Sequence, residues 1–137
     1  MPSSPLDAQG VFPILATPFH PDESLDEASL ERLVTFMIEA GADGVTVLGV
    51  LGESNRLTDA DRERAVRIAV AAARDRMPVI VGTSHAGTQA TIDLTAMAAD
   101  LGASAVMITP GAEPVPSDDR VFEYFRRIGE QARLPIV

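Results

Sequence analysis

The sequence predicts an α/β protein in which strands of a parallel sheet alternate with helices. Five short apolar runs recur at intervals of roughly 30 residues, the length of one strand–helix unit. Amphipathic helical patterns fill the gaps between these runs. The runs are continuously apolar rather than alternating, which is typical of strands buried on both faces. A closed α/β barrel and an open doubly wound sheet both fit this pattern.

The predicted strands are rich in β-branched residues, which favour extended backbone. They lie at 11–16, 44–48, 78–82, 105–109 and 135–137.

The predicted helices cover 26–40, 58–74, 88–101 and a stretch that starts after Ser117. Gly41 and Gly102 are expected to stop the first and third helices, because glycine readily adopts the left-handed conformation of a helix C-terminus. The second opens with Thr58 and, three residues later, Asp61, which resembles a capping box with Asp in place of Glu or Gln.

Composition excludes several classes of protein. The chain has 137 residues, is 46% hydrophobic and carries a net charge of −9, so we expect one core and no nucleic-acid partner. It has no cysteine, which removes disulfides and thiolate metal sites. No apolar run approaches the roughly 20 residues of a membrane span, and the N-terminus lacks signal-peptide features. We therefore expect a cytoplasmic protein with no membrane partner and no metal.

The sequence also contains no lysine, since all 11 basic residues are arginine. Arginine stays protonated in proteins and cannot act as a nucleophilic amine. Residues 1–137 therefore cannot form a lysine Schiff base.

The chain ends inside an apolar segment, at 134–137, whose pattern is typical of a strand. A strand left at the edge with no helix to cover it exposes apolar surface and unpaired backbone groups. We expect residues 1–137 to be the N-terminal part of a single, longer domain.

The most informative stretch is Gly-Val-Leu-Gly-Glu-Ser at residues 49–54, which we call the glycine turn. It directly follows the second predicted strand. Exposed backbone N–H groups at the carboxyl end of a parallel strand commonly hold anionic ligands in α/β proteins. The glycine turn is therefore a candidate anion site.

The order of landmarks along the chain resembles that of the dihydrodipicolinate synthase / N-acetylneuraminate lyase family. The matching pieces are Gly-Val-Phe-Pro-Ile-Leu-Ala-Thr-Pro-Phe at 10–19, Gly-Ala-Asp-Gly at 41–44, Gly-x-x-Gly-Glu-Ser at 49–54 followed by Leu57, Pro-Val-Ile-Val-Gly-Thr at 78–83, Gly-Ala at 102–103, Thr-Pro at 109–110 and Leu-Pro-Ile-Val at 134–137. The resemblance spans nearly the whole chain but only about the first half of the family's eight-stranded barrel. It implies a (β/α)8 barrel, of which this chain supplies about strands 1–5.

The resemblance also implies a class I lyase or aldolase that acts on pyruvate or another 2-oxo acid, with no cofactor beyond a covalent lysine imine. In the family that lysine is on the sixth strand and a catalytic tyrosine follows the fifth. Both are expected beyond Val137, so no catalytic residue is assigned within 1–137. The resemblance further implies a homodimer or homotetramer.

Two departures from the family pattern bear on the reaction. The family's turn after the second strand carries two hydroxyl residues that hold the substrate carboxylate, whereas this chain has Val50 and Leu51. The synthases also place a tyrosine pair after the Thr-Pro of the fourth strand, where this chain has Gly111 and Ala112. We therefore expect a relative of the synthases rather than a true dihydrodipicolinate synthase.

Three main candidate contacts belong to the glycine turn: the backbone N–H groups of Val50, Leu51 and Gly52 are expected to bind the substrate carboxylate, with a different, less polar substrate as the alternative. Thr17, at the end of the first strand, either lines the pocket or satisfies local backbone. Glu53 is expected mainly to order the turn by accepting backbone hydrogen bonds, with acid–base chemistry as the alternative.

His85 and Ala112 are weaker candidates for substrate contact. His85 follows the third predicted strand in a polar loop, where a solvated histidine is the simpler interpretation. The only tyrosine, Tyr124, is expected to pack within the fourth helix. Two alternatives to the lyase stay open: a barrel homologue with a binding or structural role, and, if the sheet is open, a self-contained flavodoxin-like binding domain.

Overall fold

Three parallel strands form the centre of the structure, a computed structural model that describes residues 8–111 and 117–137. They are β1 (Val45–Val47), β2 (Val79–Gly82) and β3 (Ala105–Met107), each slightly shorter than its predicted range. The strands lie side by side in chain order. Their register places Thr46 opposite Ile80.

Two outer segments extend this sheet by one residue each. The segment predicted as a strand at 11–16 meets β1 only at Ile14, and the segment at 135–137 meets β3 only at Ile136, both in parallel. These two predictions are right in position and wrong in extent. Each segment contains a proline whose carbonyl accepts a bond from the neighbouring strand, at 2.9 and 3.0 Å. Since proline has no N–H to return, the pairing stays short.

The order of the strand positions separates the two architectures that the sequence left open. A doubly wound sheet reverses its strand order at a switch point, where its ligand binds. Among the described strands the spatial order is the chain order, without a reversal, and all five positions are parallel. Parallel strands that lie next to each other in chain order are typical of an α/β barrel.

The helices flank the sheet close to their predicted positions. They are α1 (Glu27–Glu39), α2 (Asp59–Ala73), α3 (Thr88–Asp100) and α4 (Asp118–Gln131), with a 3₁₀ turn at Ser54–Arg56 before α2. In the described part of the chain, none of these helices has the length and apolar character needed to cross a membrane.

Local signals set the helix ends. Gly41 and Gly102 adopt φ values of +81° and +90° directly after α1 and α3, which confirms both predicted stops. At the start of α2 the Thr58 hydroxyl accepts a hydrogen bond from the Asp61 N–H at 3.1 Å. The Asp61 carboxylate accepts a hydrogen bond from that hydroxyl at 2.7 Å, so the predicted pair forms with a modified geometry.

Strand side chains alternate between the two faces of the sheet, and the helices cover one of these faces. Val45, Val47, Val79 and Val81 belong to the core that the helices share. Ile80 is also buried but lies outside that core, on the opposite face with its partner Thr46. We call this opposite face the inner face, since it corresponds to the interior of a barrel.

Candidate functional site

The glycine turn begins where β1 ends, and its backbone is strained. Leu48, just before the turn, has φ +59°, and Glu53 within it has φ +52°. A non-glycine residue in this left-handed region costs about 1–3 kcal/mol, and such residues cluster at ligand sites. The conformation of the turn is therefore maintained by the packing around it.

Close packing around Gly49 and Gly82 fixes the turn against its neighbours. A Cβ at Gly49 would lie 2.8 Å from Ile14 Cγ2 and 3.2 Å from Met107 Cε. A Cβ at Gly82, the last residue of β2, would lie 2.2 Å from the Leu48 carbonyl oxygen. Position 82 therefore requires glycine, because the obstructing atoms are backbone, whereas a side chain at position 49 would have to displace Ile14 and Met107.

Two of the three predicted backbone donors are available to a ligand. The Gly52 N–H donates to the Gly49 carbonyl at 3.0 Å within the turn, so this donor is already used by the protein and its predicted contact with a carboxylate stays a prediction. The N–H groups of Val50 and Leu51 have no protein acceptor among the residues that the structure describes. These two adjacent N–H groups can donate hydrogen bonds to an anion.

The surface beside these donors is apolar. Val50 is 90% exposed and Leu51 is 59% exposed. Ile14 and Met107 meet where a Gly49 side chain would be, and Ile14 is 39% exposed. We call Ile14, Val50, Leu51 and Met107 the apolar patch.

Hydroxyl groups near this end of the sheet already bond to protein. The Thr17 hydroxyl donates to the Gly52 carbonyl at 2.6 Å, which resolves its two predicted roles in favour of backbone satisfaction. Thr83 at the end of β2 pairs with Thr95 of α3 at 3.0 Å and is buried. The Ser84 hydroxyl accepts a hydrogen bond from the Thr109 N–H at 2.8 Å.

Glu53 does not order the turn in the predicted way. Its side chain makes no capping hydrogen bond to the following 3₁₀ turn. Instead its carboxylate oxygen lies 3.4 Å from Arg56 Nε, and both side chains are at least half exposed. The left-handed backbone of Glu53 turns the chain toward α2, and the side chain lies on the outside of the turn with Arg56.

His85 lies apart from the apolar patch. Its Nδ1 accepts the Gly87 N–H at 3.0 Å, which places the proton of the neutral ring on Nε2. Its exposed ring borders a groove of about 470 Å³ between α2 and α3, together with Glu63 and Asp93. The residues that line this groove with His85 do not include any of the glycine turn.

Tyr124 packs against the core from α4, as predicted, and also makes hydrogen bonds that the sequence did not predict. Its hydroxyl is 2.9 Å from the Thr91 hydroxyl and donates to the His85 carbonyl at 3.3 Å. The Thr91 hydroxyl also accepts the His85 N–H at 3.2 Å. Tyr124 of α4 thus holds the loop after β2 in place from 39 residues away.

A cleft of about 490 Å³ lies outside the turn, between His20, Glu53, Arg56 and neighbouring residues. The His20 ring is 3.9 Å from the Asp26 carboxylate, which caps α1. Hydrogen bonds from the Ser29 hydroxyl and then the Ser29 N–H lower the pKa of Asp26 below its ordinary value. No group of three or more metal-ligating side chains occurs within 8–111 and 117–137. The candidate Ala112 lies outside the described residues.

Comparisons with known proteins agree on one family. The model of the dihydrodipicolinate synthetase family matches residues 7–137. The 4-hydroxy-tetrahydrodipicolinate synthase of Methanothrix thermoacetophila is 38% identical over 129 residues, which cover 94% of this chain and 43% of that protein. The L-2-keto-3-deoxyarabonate dehydratase of Azospirillum brasilense is 36% identical over 132 residues, which cover 94% and 43%.

Solved structures give the same result. The chloride-inhibited dihydrodipicolinate synthase of Acinetobacter baumannii, solved with pyruvate, has a TM-score of 0.90 and 30% identity, covering 93% of this chain and 44% of that one. The chain thus spans less than half the length of the relatives it matches. The described fold is the N-terminal part of their barrel, which confirms the predicted fold class and rejects the open-sheet alternative.

Proposed function

Since this chain belongs to the dihydrodipicolinate synthetase family, we propose that it supplies the N-terminal part, within one barrel domain, of a Schiff-base lyase or aldolase for pyruvate or another 2-oxo acid. The synthase and the dehydratase named above are almost equally similar to it. Similarity therefore supports this general kind of enzyme and does not single out one reaction.

The observation that carries the proposal is the pair of available N–H groups at Val50 and Leu51. They lie at the carboxyl end of β1, the end at which barrel enzymes bind their substrates. Two adjacent backbone donors fit the two oxygens of a carboxylate, and a hydrogen bond to a charged group contributes about 1.5–3 kcal/mol. In this assignment the glycine turn holds the carboxylate of the 2-oxo acid.

The reactive groups are assigned beyond Val137. A lysine on the sixth strand would form the imine, and a tyrosine after the fifth would move the proton. The two hydroxyls expected beside the carboxylate are replaced by Val50 and Leu51, which supports a reaction other than dihydrodipicolinate synthesis. A dimer or tetramer in a cytoplasmic setting belongs to the same proposal.

Borohydride trapping tests the proposal. The polypeptide that continues past Val137 is incubated with pyruvate and sodium borohydride, and its mass is measured. We expect a mass increase of one reduced pyruvyl group, which peptide mapping places on a lysine. Residues 1–137 alone are the matched control and should gain no lysine adduct, because they contain no lysine.

A barrel homologue without catalysis is the second candidate. The exposed Val50 and Leu51 side chains favour it, since hydrocarbon stands at the two positions where the family has hydroxyl donors. This candidate predicts binding of a 2-oxo acid, seen by calorimetry, without a trapped adduct from any 2-oxo acid tested.

A further inference from the structure

We propose that the 2-oxo acid bound here carries an apolar substituent, aryl or branched alkyl, which packs on the apolar patch beside the glycine turn. This inference rests on the proposed function and names its substrate class. It concerns the part of the substrate beyond the carboxylate and the 2-oxo carbon.

The apolar patch is continuous with the carboxylate donors. Val50 and Leu51 contribute both the available N–H groups and two exposed apolar side chains. Ile14 and Met107 approach each other over Gly49, so the surface next to the turn is built of hydrocarbon and thioether groups. A ligand whose carboxylate reaches the donors therefore lies next to this patch.

Three hydroxyl groups near this end of the sheet already bond to protein. Thr17 bonds to the Gly52 carbonyl, Thr83 to Thr95, and Ser84 to the backbone of β3's carboxyl end. The hydroxyl of Thr46, on the inner face, lies three residues before Gly49, about 10 Å further along the strand. It is 3% exposed, between Ile14 and Ile80 in the register of the sheet.

Charged groups also point elsewhere. The carboxylate of Glu53, the acid within the turn, faces Arg56, and both line the cleft on the outside of the turn. In the described part of the chain, the patch thus offers no ion to a charged second group of the substrate.

The preference follows from the cost of desolvation. A hydroxyl or a charge held over this patch would lose its water without gaining a partner, which is unfavourable. An alkyl or aryl group would gain free energy in proportion to the apolar area that it removes from water. The patch therefore discriminates against sugar-acid substrates and in favour of apolar ones.

Amide resonances of the ¹⁵N-labelled polypeptide that continues past Val137 test this inference. Three probes are titrated separately: 2-oxo-4-phenylbutanoate, pyruvate and 2-keto-3-deoxyarabonate. We expect shifts at the amides of Val50 and Leu51, with a dissociation constant for 2-oxo-4-phenylbutanoate at least tenfold below those of the other two. A dispersed spectrum shows that each protein tested is folded.

Variants separate the patch from the donors. The double variant Val50→Thr/Leu51→Thr keeps the backbone N–H groups and should lose most of the tenfold preference while still binding pyruvate. Val11→Thr is the matched control, because Val11 is 65% exposed and pairs with Asp43 at the opposite end of the sheet. It should leave the preference unchanged.

Equal affinity for the three probes, with shifts at Val50 and Leu51, would overturn the apolar-substrate inference and leave the carboxylate site in place. Shifts absent from both amides with every probe would remove the carboxylate site and the inference together. A trapped lysine adduct in the longer polypeptide would still support the lyase in either case, so the two failures are distinguishable.

Discussion

Two loops at the same end of the sheet use their polar groups in opposite ways. In the loop after β2, Ser84 bonds to Thr109, and His85 bonds through its backbone to Thr91 and Tyr124. In the glycine turn after β1, two backbone donors have no acceptor among the described residues, and the adjacent side chains are exposed hydrocarbon.

The difference separates a supporting element from a binding element. A loop whose backbone is bonded to two helices, and whose serine hydroxyl is bonded to the segment after β3, is held in one geometry and has little left to offer a ligand. A turn whose own side chains make few bonds can offer its backbone donors, provided that its neighbours hold its shape. Gly82 provides such support, since the end of β2 packs directly against the Leu48 carbonyl.

The largest effect is expected from a substitution that breaks the contact between the two loops. In Gly82→Ala the new Cβ would lie 2.2 Å from the Leu48 oxygen and 3.0 Å from the Gly49 nitrogen, and neither backbone atom can rotate away. We expect the free energy of unfolding in urea to fall by about 3 kcal/mol, with altered amide shifts in the glycine turn.

Gly129→Ala is the control for this substitution. Gly129 lies within α4, and an added Cβ would meet nothing within 4 Å. Alanine should raise stability by about 0.5–1 kcal/mol, since it is the better helix former. If Gly82→Ala were as harmless, the packing between the two loops would not hold the turn.

Tyr124→Phe sharpens the comparison within the loop after β2. Losing the hydroxyl removes the bonds to Thr91 and to the His85 carbonyl, so we expect a loss of about 1 kcal/mol in unfolding free energy. Hydrogen exchange at residues 85–87 should speed up while exchange at Val50 and Leu51 stays the same.

A double-mutant cycle with Thr91→Val checks the origin of this effect. Because both substitutions break the same bond, their combined cost should be smaller than the sum of the single costs. Additive costs would mean that the two hydroxyls act independently.

Thr17→Val tests the corresponding anchor of the glycine turn. It removes the donor to the Gly52 carbonyl with little change of shape, so stability should fall by about 1 kcal/mol and exchange at residues 50–53 should increase. Thr17→Ser should restore both. Thr35→Val, which removes an exposed hydroxyl bond within α1, should leave the exchange of the turn unchanged.

The smallest expected effect concerns a third polar region, the N-terminal cap of α1, in which the capping side chain is charged. Hydrogen bonds from Ser29 lower the pKa of Asp26 below its ordinary 3.8. Its contribution to stability is therefore complete above that value and is lost as the pH falls toward the pKa of the folded state.

Acid unfolding followed by circular dichroism should show this difference. Asp26→Asn should give a shallower loss of stability below pH 3.8 than the parent chain. Ser29→Ala should reduce the slope in the same way, because it raises the pKa of Asp26 toward the ordinary value. Unchanged slopes in both variants would show that the cap does not govern acid sensitivity.

Sequence reasoning predicted best what is decided locally. The stops at Gly41 and Gly102 and the cap at Thr58 follow from residues within one helical turn. The strand predictions at 11–16 and 135–137 were too long, because Pro13 and Pro135 accept a bond from the neighbouring strand but have no N–H to donate in return.

The candidate site shows the same division. Sequence reasoning grouped Thr17 with the glycine turn, and the structure joins them through a bond between residues 35 apart. It did not predict that the turn itself uses the Gly52 N–H, that Glu53 faces Arg56, or that Tyr124 reaches His85. The candidate role of Ala112 stays a prediction.

By itself the sequence determined the alternation of strands and helices, the absence of lysine, and the apolar character of Val50 and Leu51. These depend on residue type and on spacing along the chain. Only the tertiary structure decided between barrel and open sheet, and which N–H and hydroxyl groups stay available to a ligand. The physical reason is that strand order and hydrogen-bond partners are set by contacts between distant segments, which no local pattern records.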